Sequence, residues 1–546
     1  MTIVNLFFAI FQGYRTLIPY YVGTRLGAGD PEGAKLAFKR FCGMVLILSL
    51  ILAFMLLMIG IFGMGPIFRL PAGSMLLFYT QWHTVWHAFG FFFLSFTMVF
   101  LSVLRAGRSI AKEATVKKGF IVKGHIVYTS KPSQFELIEN GHIVVEDDVI
   151  KAVGKDIPSQ YHSYPVSDYK DKLIIPGLVD THIHAPQFTN RGLGLDKELL
   201  PWLETYTFPE ETKFKDLNYA RKVYNDFITT LWKNGVTSSV VFNTIHKDAT
   251  KLLLDMFKKS GLSSLVGKVN MDINSPDNLV EKTEDSLRDT EEIIKEYHGK
   301  HPLVNPIITP RFVPTCSAKL MQGLGDLAKK YQVPVQSHLS ENKGEVAWVK
   351  ELFPDSPDYV SVYERFGLLE TPTVMAHCVQ SQQPEIEKLK KYGVIVSHCP
   401  YSNFNLFSGI APIRRFFDNG VKVGLGSDVS GGHDNSLLHN MVAAIHGSKL
   451  LQAHLVEKEK ALTTPEAFYL ATKGGGEMFG KVGSFEPGYR FDALVIDDRS
   501  LGQNKPLDLF ERIQRFVYIG DDRNIEKVYV GGKLVPQPNL LEKPVF

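Results

Sequence analysis

Two histidines separated by one residue follow an apolar run, in the order Val179-Asp180-Thr181-His182-Ile183-His184. Alternate side chains of a β-strand point to the same face. His182 and His184 can therefore reach one metal ion together. Paired surface histidines are common, so this pair alone leaves a metal site and a surface pair equally open.

Three further positions place ionisable side chains where an apolar run ends. His338 and His377 each end such a run, Asp428 follows another, and Glu341 lies three residues after His338. In a barrel of alternating strands and helices, the carboxyl ends of the strands share one rim, where such enzymes do their chemistry. One strand-end histidine is usually structural, but this ordered series predicts a metal site.

The elements that must position these groups are strand-like runs alternating with helical stretches after residue 176. This alternation over about 300 residues is typical of repeated βα units with a parallel sheet. The length suits an α/β fold with a closed, eight-stranded (β/α)8 TIM-type barrel. The predicted strands and helices of this part are 238–242, 304–309, 334–338, 373–377, 394–398 and 421–424, and 217–234, 281–297, 318–331 and 383–391.

Short strands separated by turn residues flank the barrel on both sides. They cover 120–122, 125–128, 141–145 and 149–153 before it, and 492–497 and 525–530 after it. We therefore expect the barrel to be inserted in a small β-sandwich domain. The predicted boundaries are 111–175 for the first part of that domain, 176–485 for the barrel and 486–546 for the second part.

The bulk composition is that of a folded protein and excludes some classes. The 546 residues carry a formal net charge of only +3, so we expect no nucleic acid as a partner. Four widely spaced cysteines without a CxxC pair argue against a disulfide framework and fit a reducing compartment. They are Cys42, Cys316, Cys378 and Cys399.

The N-terminal region is different, because residues 41–68 and 72–104 contain no Asp, Glu, Lys or Arg. Each run exceeds the roughly 20 apolar residues that a membrane-spanning helix needs, and 3–22 is a weaker third candidate. Basic residues cluster between 3–22 and 41–68 and again after 104, and basic flanks stay cytoplasmic. The sequence therefore predicts an all-α transmembrane segment over 1–110 that anchors the chain by about three helices, with the catalytic part in the cytoplasm.

Two short stretches of this region, GTRLGAGDPEGA at 23–34 and LRAGR at 104–108, carry a resemblance. They resemble multidrug and toxin extrusion (MATE) transporters, which have about a dozen helices in two bundles. Three helices cannot enclose a pathway between two halves. We therefore interpret residues 1–110 as a fragment, either a membrane anchor or the product of a fused reading frame, without transport activity.

Residues from about 119 to 535 resemble the amidohydrolase superfamily, in its single-metal aminohydrolase branch. The resemblance implies four metal ligands, His182, His184, His338 and Asp428. It also implies that Glu341 shuttles protons and that His377 polarises the attacking water or the substrate, with Asp428 helping to orient that water. No lysine occurs in 238–242, where two-metal relatives carry a carboxylated lysine, so we expect one divalent ion per chain. Zn²⁺ is the expected ion, and the choice between zinc and iron stays open.

A narrower resemblance is to the guanine deaminases of this superfamily. It rests on HAPQ at 184–187, LPWL at 200–203 with YTFP at 206–209, and TPRF at 309–312. The resemblance implies that Gln187 and Arg311 hydrogen-bond the edge of a small-molecule purine and that Phe312 supports its ring. Trp202 is either a substrate-binding residue or a packed loop aromatic. The implied reaction is hydrolytic deamination of guanine to xanthine and ammonia.

Two other functions stay open at this point. One is a related aminohydrolase acting on a pterin, a triazine or an adenosine derivative, which the motifs around Trp202 and Arg311 disfavour. The other is a membrane protein with a non-catalytic barrel, which the complete ligand set disfavours. For the catalytic form we expect a homodimer through the barrel domain.

Overall fold

The computed structural model describes residues 119–502 and 505–541, together with Trp82, His83 and Trp86. Apart from those three residues, the predicted transmembrane spans and the transporter-like motifs lie outside the described residues. Within the described part, no helix is both long and apolar enough to cross a membrane. Lys118–Phe546 forms one compact unit.

Strands from both ends of this unit form one seven-stranded sheet. Its order is β17-β16-β15-β4-β1-β2-β3, so β4 separates the early strands from the late ones. β4 runs parallel to β1 and antiparallel to β15, with Ile174 opposite Val495. The seven strands are β1 Gly119–Lys131, β2 Gln134–Glu146, β3 Val149–Gly154, β4 Val166–Pro176, β15 Ala493–Ile496, β16 Ile525–Val530 and β17 Lys533–Leu534.

This arrangement corrects the expected β-sandwich. Hydrogen bonding joins all seven of these strands into a single sheet. The two faces of the sheet still separate two cores, because side chains alternate along each strand. In β4, Ile174 packs among Phe485, Phe491 and other residues of a small core, whereas Leu173 and Ile175 belong to the large core shared with the helices. The domain boundaries proposed from the sequence stay predictions.

Eight parallel strands follow in two four-stranded sheets, β5-β6-β7-β9 and β11-β12-β13-β14. A short two-stranded sheet pairs β8, which precedes β9 in the chain, with β10, which follows it. The prediction of an α/β fold is confirmed. The ten strands are β5 Leu178–His184, β6 Val236–Phe242, β7 Ser263–Gly267, β8 Val269–Asn270, β9 Val304–Pro306, β10 Thr309–Pro310, β11 Val335–Leu339, β12 Thr373–His377, β13 Ile395–His398 and β14 Lys422–Leu425.

Closure of these strands into a ring is not detected among the described residues, so the predicted closed barrel is not shown. The two sheets are joined by one bridge between Ile308 and Val335. On the other side, two backbone hydrogen bonds connect the end of β5 with the loop after β14. Asp428 N donates to His182 O at 2.9 Å, and His184 N donates to Val429 O at 3.1 Å. The carboxyl ends of the first and last parallel strands therefore lie side by side.

Helices connect successive parallel strands and cover them. Several begin at a side-chain cap that the sequence provides: Ser317 accepts from Leu320 N, and Asn342 forms a reciprocal capping box with Glu345. Within the described residues, the α-helices α1 to α14 are Leu199–Trp202, Phe208–Glu211, Leu217–Lys233, Lys247–Ser260, Thr283–Tyr297, Ala318–Tyr331, Lys343–Leu352, Tyr359–Arg365, Gln383–Lys391, Pro400–Asn405, Ile413–Asp418, Leu437–Leu450, Thr464–Tyr469 and Leu509–Ile519.

Candidate active site

A cavity lies at the carboxyl ends of the parallel strands and collects nearly all the residues singled out in the sequence. Two kinds of side chain line it: imidazoles and carboxylates form the first set, and other polar, aromatic and aliphatic groups form the second. The first kind comprises His184, His338, Glu341, His377 and Asp428. The second comprises Gln187, Trp202, Arg311 and Phe312, with Leu199, Leu203 and Leu406. His182 lies directly behind the first group.

The imidazoles and one carboxylate converge on a small volume. His182 Nε2 and His184 Nε2 lie 3.1 Å and 3.4 Å from Asp428 Oδ1. His184 Nε2 also lies 3.2 Å from His338 Nε2. Candidate ligand atoms of His182, His184 and His338 all lie within 4.8 Å of one another, as do those of His182, His377 and Asp428. Imidazole nitrogens and carboxylate oxygens are both ligands of divalent metals in proteins, so this cluster can hold a metal ion.

The protonation of these imidazoles suits ligation of a metal. Burial lowers the pKa of His182, His184 and His338, that of His184 to about 4, so the rings are neutral near pH 7. His338 Nδ1 lies 2.6 Å from Arg311 O, a bond that requires the proton on Nδ1 and leaves the Nε2 lone pair free. His182 Nε2 is buried, and within the described residues no contact of this nitrogen, including the one at 3.1 Å to Asp428 Oδ1, has the geometry of a hydrogen bond. These residues therefore fit a divalent cation.

Asp180 accepts hydrogen bonds from both of the chain segments that contain His182 and Asp428. This buried carboxylate accepts from His182 N at 3.2 Å and, across the strands, from Ser427 N at 3.1 Å and Ser427 Oγ at 2.6 Å. His182 and Asp428 are thereby held in a fixed register, although they are far apart in the chain. Asp180 belongs to the sequence motif that contains both histidines, but its function is visible only in the structure.

The backbone is left-handed at two residues of this cluster. His377 has φ of 74° and Asp428 has φ of 46°, and Ser340, just before Glu341, has φ of 48°. Residues other than glycine rarely adopt this conformation, and they concentrate at functional sites that the surrounding structure over-determines. These sharp reversals at strand ends turn the side chains of Glu341, His377 and Asp428 into the cavity.

Glu341 is the acidic group best placed to move protons. Only 3% of the residue is exposed. One oxygen, Oε1, accepts from Ser408 Oγ at 3.2 Å, and Oε2 lies 3.5 Å from His377 Nε2. Burial, reinforced by the charge of Asp428, raises the pKa of Glu341 to about 8. A carboxyl group with a pKa near neutrality can both accept and donate a proton during one turnover.

His377 is oriented by Asn403, whose Oδ1 lies 3.0 Å from His377 Nδ1. The Nδ1 proton therefore faces Asn403, and Nε2 is directed towards Glu341 and Asp428. That nitrogen lies 3.7 Å from Asp428 Oδ2. His377 is thus held between Glu341 and Asp428, where a reacting water would sit.

The other side of the cavity carries the groups expected to contact a purine. Gln187 and Arg311 are each about 2% exposed and line the cavity together with Phe312. Trp202 also lines it, and its Nε1 donates to Leu193 O at 3.1 Å. The indole N–H is therefore occupied by the protein, so Trp202 offers a substrate only its ring. One cavity is therefore lined both by these polar and aromatic side chains and by groups that could hold a metal ion.

A comparison with known protein families identifies the family to which this chain belongs. The model of the amidohydrolase family matches residues 173–535, which include all the strands from β5 to β14. The chain belongs to the amidohydrolase family. The site residues named above all lie within the matched segment.

This amidohydrolase is similar to curated proteins and solved structures that carry the name guanine deaminase. It is 39% identical to the guanine deaminase of Dictyostelium discoideum over 444 residues, which cover 76% of this chain and 98% of that protein. It is 42% identical to the guanine deaminase of Homo sapiens over 379 residues, or 67% and 83% of the two chains. Among solved structures, guanine deaminase from C. acetobutylicum with guanine bound in its active site has a TM-score of 0.75 and 51% identity, covering 76% of this chain and 100% of that one.

Sequence reasoning missed a buried carboxylate behind Glu341. Glu345 Oε2 accepts from Glu341 N at 2.8 Å and from Asn342 N at 3.3 Å, and Oε1 accepts from Tyr359 Oη at 2.7 Å. Burial, with the neighbouring Glu341, raises the pKa of Glu345 to about 7. The capping-box spacing of Asn342 and Glu345 was the available signal, because an acid three residues after the cap bonds the backbone at the helix start.

We expect the Glu345→Ala variant to lose about 1–3 kcal/mol of unfolding free energy, because two buried backbone N–H groups lose their acceptor. The turnover number should fall more than the KM rises, since the backbone that carries Glu341 is no longer held. Denaturant melts and steady-state kinetics measure both effects. Glu351→Ala, an exposed position on the same helix, is the matched control. Wild-type kinetics in Glu345→Ala would contradict this role.

Proposed function

We propose that this amidohydrolase is a guanine deaminase, which hydrolyses guanine to xanthine and ammonia. The observation that carries the proposal is one cavity with two functional sides. Imidazoles, Asp428 and Glu341 line the same cavity as Gln187 and Arg311. The guanine deaminases to which the chain is similar, including one with guanine bound, support this choice of substrate.

The proposed metal ligands are His182, His184, His338 and Asp428, which hold one divalent ion. Zn²⁺ is the proposed metal, because three imidazoles and one carboxylate are a donor set that suits it. When bound, such an ion lowers the pKa of a water molecule from 15.7 towards ~7 and so provides a nucleophile at neutral pH.

In the proposed reaction, the residues of the cavity divide the proton transfers and the positioning. Glu341 takes a proton from the water and gives it to the ring nitrogen beside the attacked carbon. Asp428 and His377 hold the water against the carbon that bears the exocyclic amine. A new carbon–oxygen bond forms first. Glu341 then takes the remaining proton of the added hydroxyl group and passes it to the exocyclic amine. The carbon–nitrogen bond breaks, ammonia leaves, and the oxygen becomes the new carbonyl of xanthine.

Recognition of the base is assigned to the second side of the cavity. The planar guanidinium of Arg311 suits the carbonyl and ring-nitrogen edge of a purine, and Gln187 offers both a donor and an acceptor. Phe312 and Trp202 provide apolar ring surface. A heterocycle without those acceptors would leave a buried charge without a substrate partner, which disfavours its binding.

The purified full chain, assayed for ammonia release, tests the proposal. We expect guanine to be converted to xanthine with a kcat/KM in the ordinary enzymatic range of about 10⁴–10⁸ M⁻¹s⁻¹. A pterin, an aminotriazine and adenosine, supplied at equal concentration, serve as comparison substrates and should release far less ammonia. Turnover of one of these without turnover of guanine would assign the cavity to a different aminohydrolase.

Three finer features stay predictions from the sequence. They are closure of the parallel strands into a barrel, a homodimer formed through it, and anchoring of the catalytic part at the cytoplasmic face of a membrane by residues 1–110. The last of these falls on the part of the chain that the structure does not describe.

A further inference from the structure

Glu211 connects the two residues that are proposed to read the purine. Its Oε1 accepts from Gln187 Nε2 at 3.2 Å, and its Oε2 accepts from Arg311 Nη1 at 2.7 Å. The Glu211 and Arg311 side chains are only 1% and 3% exposed. Each oxygen of this carboxylate therefore accepts a hydrogen bond from one of the two polar residues, Gln187 and Arg311, that line the cavity.

The contacts of Gln187 and Arg311 leave little freedom for either side chain. Gln187 Oε1 accepts from Ser430 N at 3.2 Å, so the amide is held at both ends. Arg311 lies over the ring of Phe208, with its guanidinium carbon 5.1 Å from the ring centre. Phe208 and Glu211 are the first and last residues of the helix Phe208–Glu211, so one short helix supports the guanidinium from two directions.

Glu211 itself is outside the cavity lining, whereas Gln187 and Arg311 belong to it. Its influence on a ligand must therefore pass through those two side chains. A carboxylate that bonds a guanidinium also cancels its charge, and this matters most where both groups are buried. The wall that faces the base consequently presents directed hydrogen-bond donors without an uncompensated positive charge.

We propose that Glu211 is a positioning and selectivity residue. It fixes the side chains of Arg311 and Gln187, and its negative charge offsets the positive charge of Arg311, so that this part of the cavity suits an uncharged purine. The proposal rests on the proposed function. Guanine is uncharged near neutral pH, whereas its product xanthine loses a ring proton more readily. A wall with a free guanidinium would bind the anionic product too well, and the buried carboxylate prevents this.

Glu211→Gln tests the charge, because glutamine keeps the size of the side chain and still has an oxygen for Arg311. We expect kcat/KM for guanine to fall about 10- to 100-fold, since a charged hydrogen bond and the fixed orientation are lost. Inhibition by xanthine at mildly alkaline pH should instead become about tenfold stronger relative to the KM for guanine. A merely structural role would weaken both ligands together.

Glu210→Gln is the matched control. Glu210 is adjacent, 6% exposed, and bonds Lys213 and Tyr219 instead of the cavity wall. It should leave both the kinetics and the xanthine inhibition unchanged. Glu211→Asp keeps the charge with a shorter reach, so kcat/KM should fall while the ratio of xanthine inhibition to KM stays at the wild-type value. This variant decides the question if Glu211→Gln does not fold.

Each outcome has a definite meaning. Failure of the wild-type protein to deaminate guanine would overturn the proposed function. An active wild-type protein with unchanged guanine kinetics in Glu211→Gln, or with a parallel loss of guanine and xanthine binding, would overturn only the assignment of Glu211. Metal content measured in every variant separates these effects from loss of the metal centre.

Discussion

Replacement of Glu341 by glutamine is expected to lower kcat for guanine by about 10²- to 10⁴-fold, which is the usual contribution of a positioned acid–base group. Glutamine keeps the shape and the contact with Ser408 but cannot carry a proton between the water and the substrate. Metal content should be unchanged, because Glu341 is outside the proposed set of four ligands. Rapid ammonia detection and metal analysis of the same sample measure the two quantities.

The control for this variant is Glu351→Gln, an exposed glutamate ten residues further along the chain. It should behave as the wild-type protein. Turnover by Glu341→Gln close to that of the control would show that the proton is moved by another group. In that case His377, whose Nε2 lies 3.5 Å from Glu341 Oε2, would be the next candidate.

Removal of the metal is the second change with a large expected effect. Treatment with a strong chelator should abolish guanine turnover and lower the melting temperature, because an ion that binds only the folded state stabilises it, by about 2.7 kcal/mol at 100 times its Kd. Zn²⁺ should restore activity and stability, whereas Mg²⁺ should not, since it prefers oxygen ligands.

A ligand variant distinguishes specific metal loss from general damage by the chelator. His338→Ala should purify with less than one metal ion per chain and should not respond to added Zn²⁺. His162→Ala, at an exposed position far from the cavity in the chain, is the matched control and should respond like the wild-type protein. Full activity of metal-free wild-type protein would contradict the proposed centre.

The proposed site residues were accessible from the sequence because each one lies near the carboxyl end of a parallel strand. His182, His338, His377 and Asp428 end or follow apolar runs, and parallel strands bring their carboxyl ends to one edge. Order along the chain was therefore enough to predict which side chains meet. The structure brings all four into the same cluster.

Residues that act through the backbone or through another side chain could not be predicted in the same way. Glu345 looks like an ordinary helix-capping acid, and Glu211 lies beside Glu210 in a short acidic stretch. Which of these two adjacent carboxylates faces Arg311 depends on how the one-turn helix Phe208–Glu211 is rotated about its axis. Spacing in the sequence does not determine that direction.

The fold shows a similar limit. The strand Ser263–Gly267 was not predicted, because its sequence, Ser-Ser-Leu-Val-Gly, is short and half polar, yet all five residues are buried between neighbouring strands. Its serines are satisfied inside the fold: Ser264 Oγ donates to Ser239 O at 3.1 Å. Hydrophobic pattern alone cannot identify a strand whose polar groups find partners across the sheet.

The pairing of β4 with β15 has a consequence for synthesis of the protein on the ribosome. Residues 173–176 acquire their neighbour on one side only when residues 493–496 have emerged, more than three hundred residues later. Until then, the growing chain exposes an unpaired strand edge, which is open to pairing with other chains. A chain that stops before residue 493 would therefore contain every proposed site residue but would expose the unpaired edge of β4, where other chains could pair and aggregate.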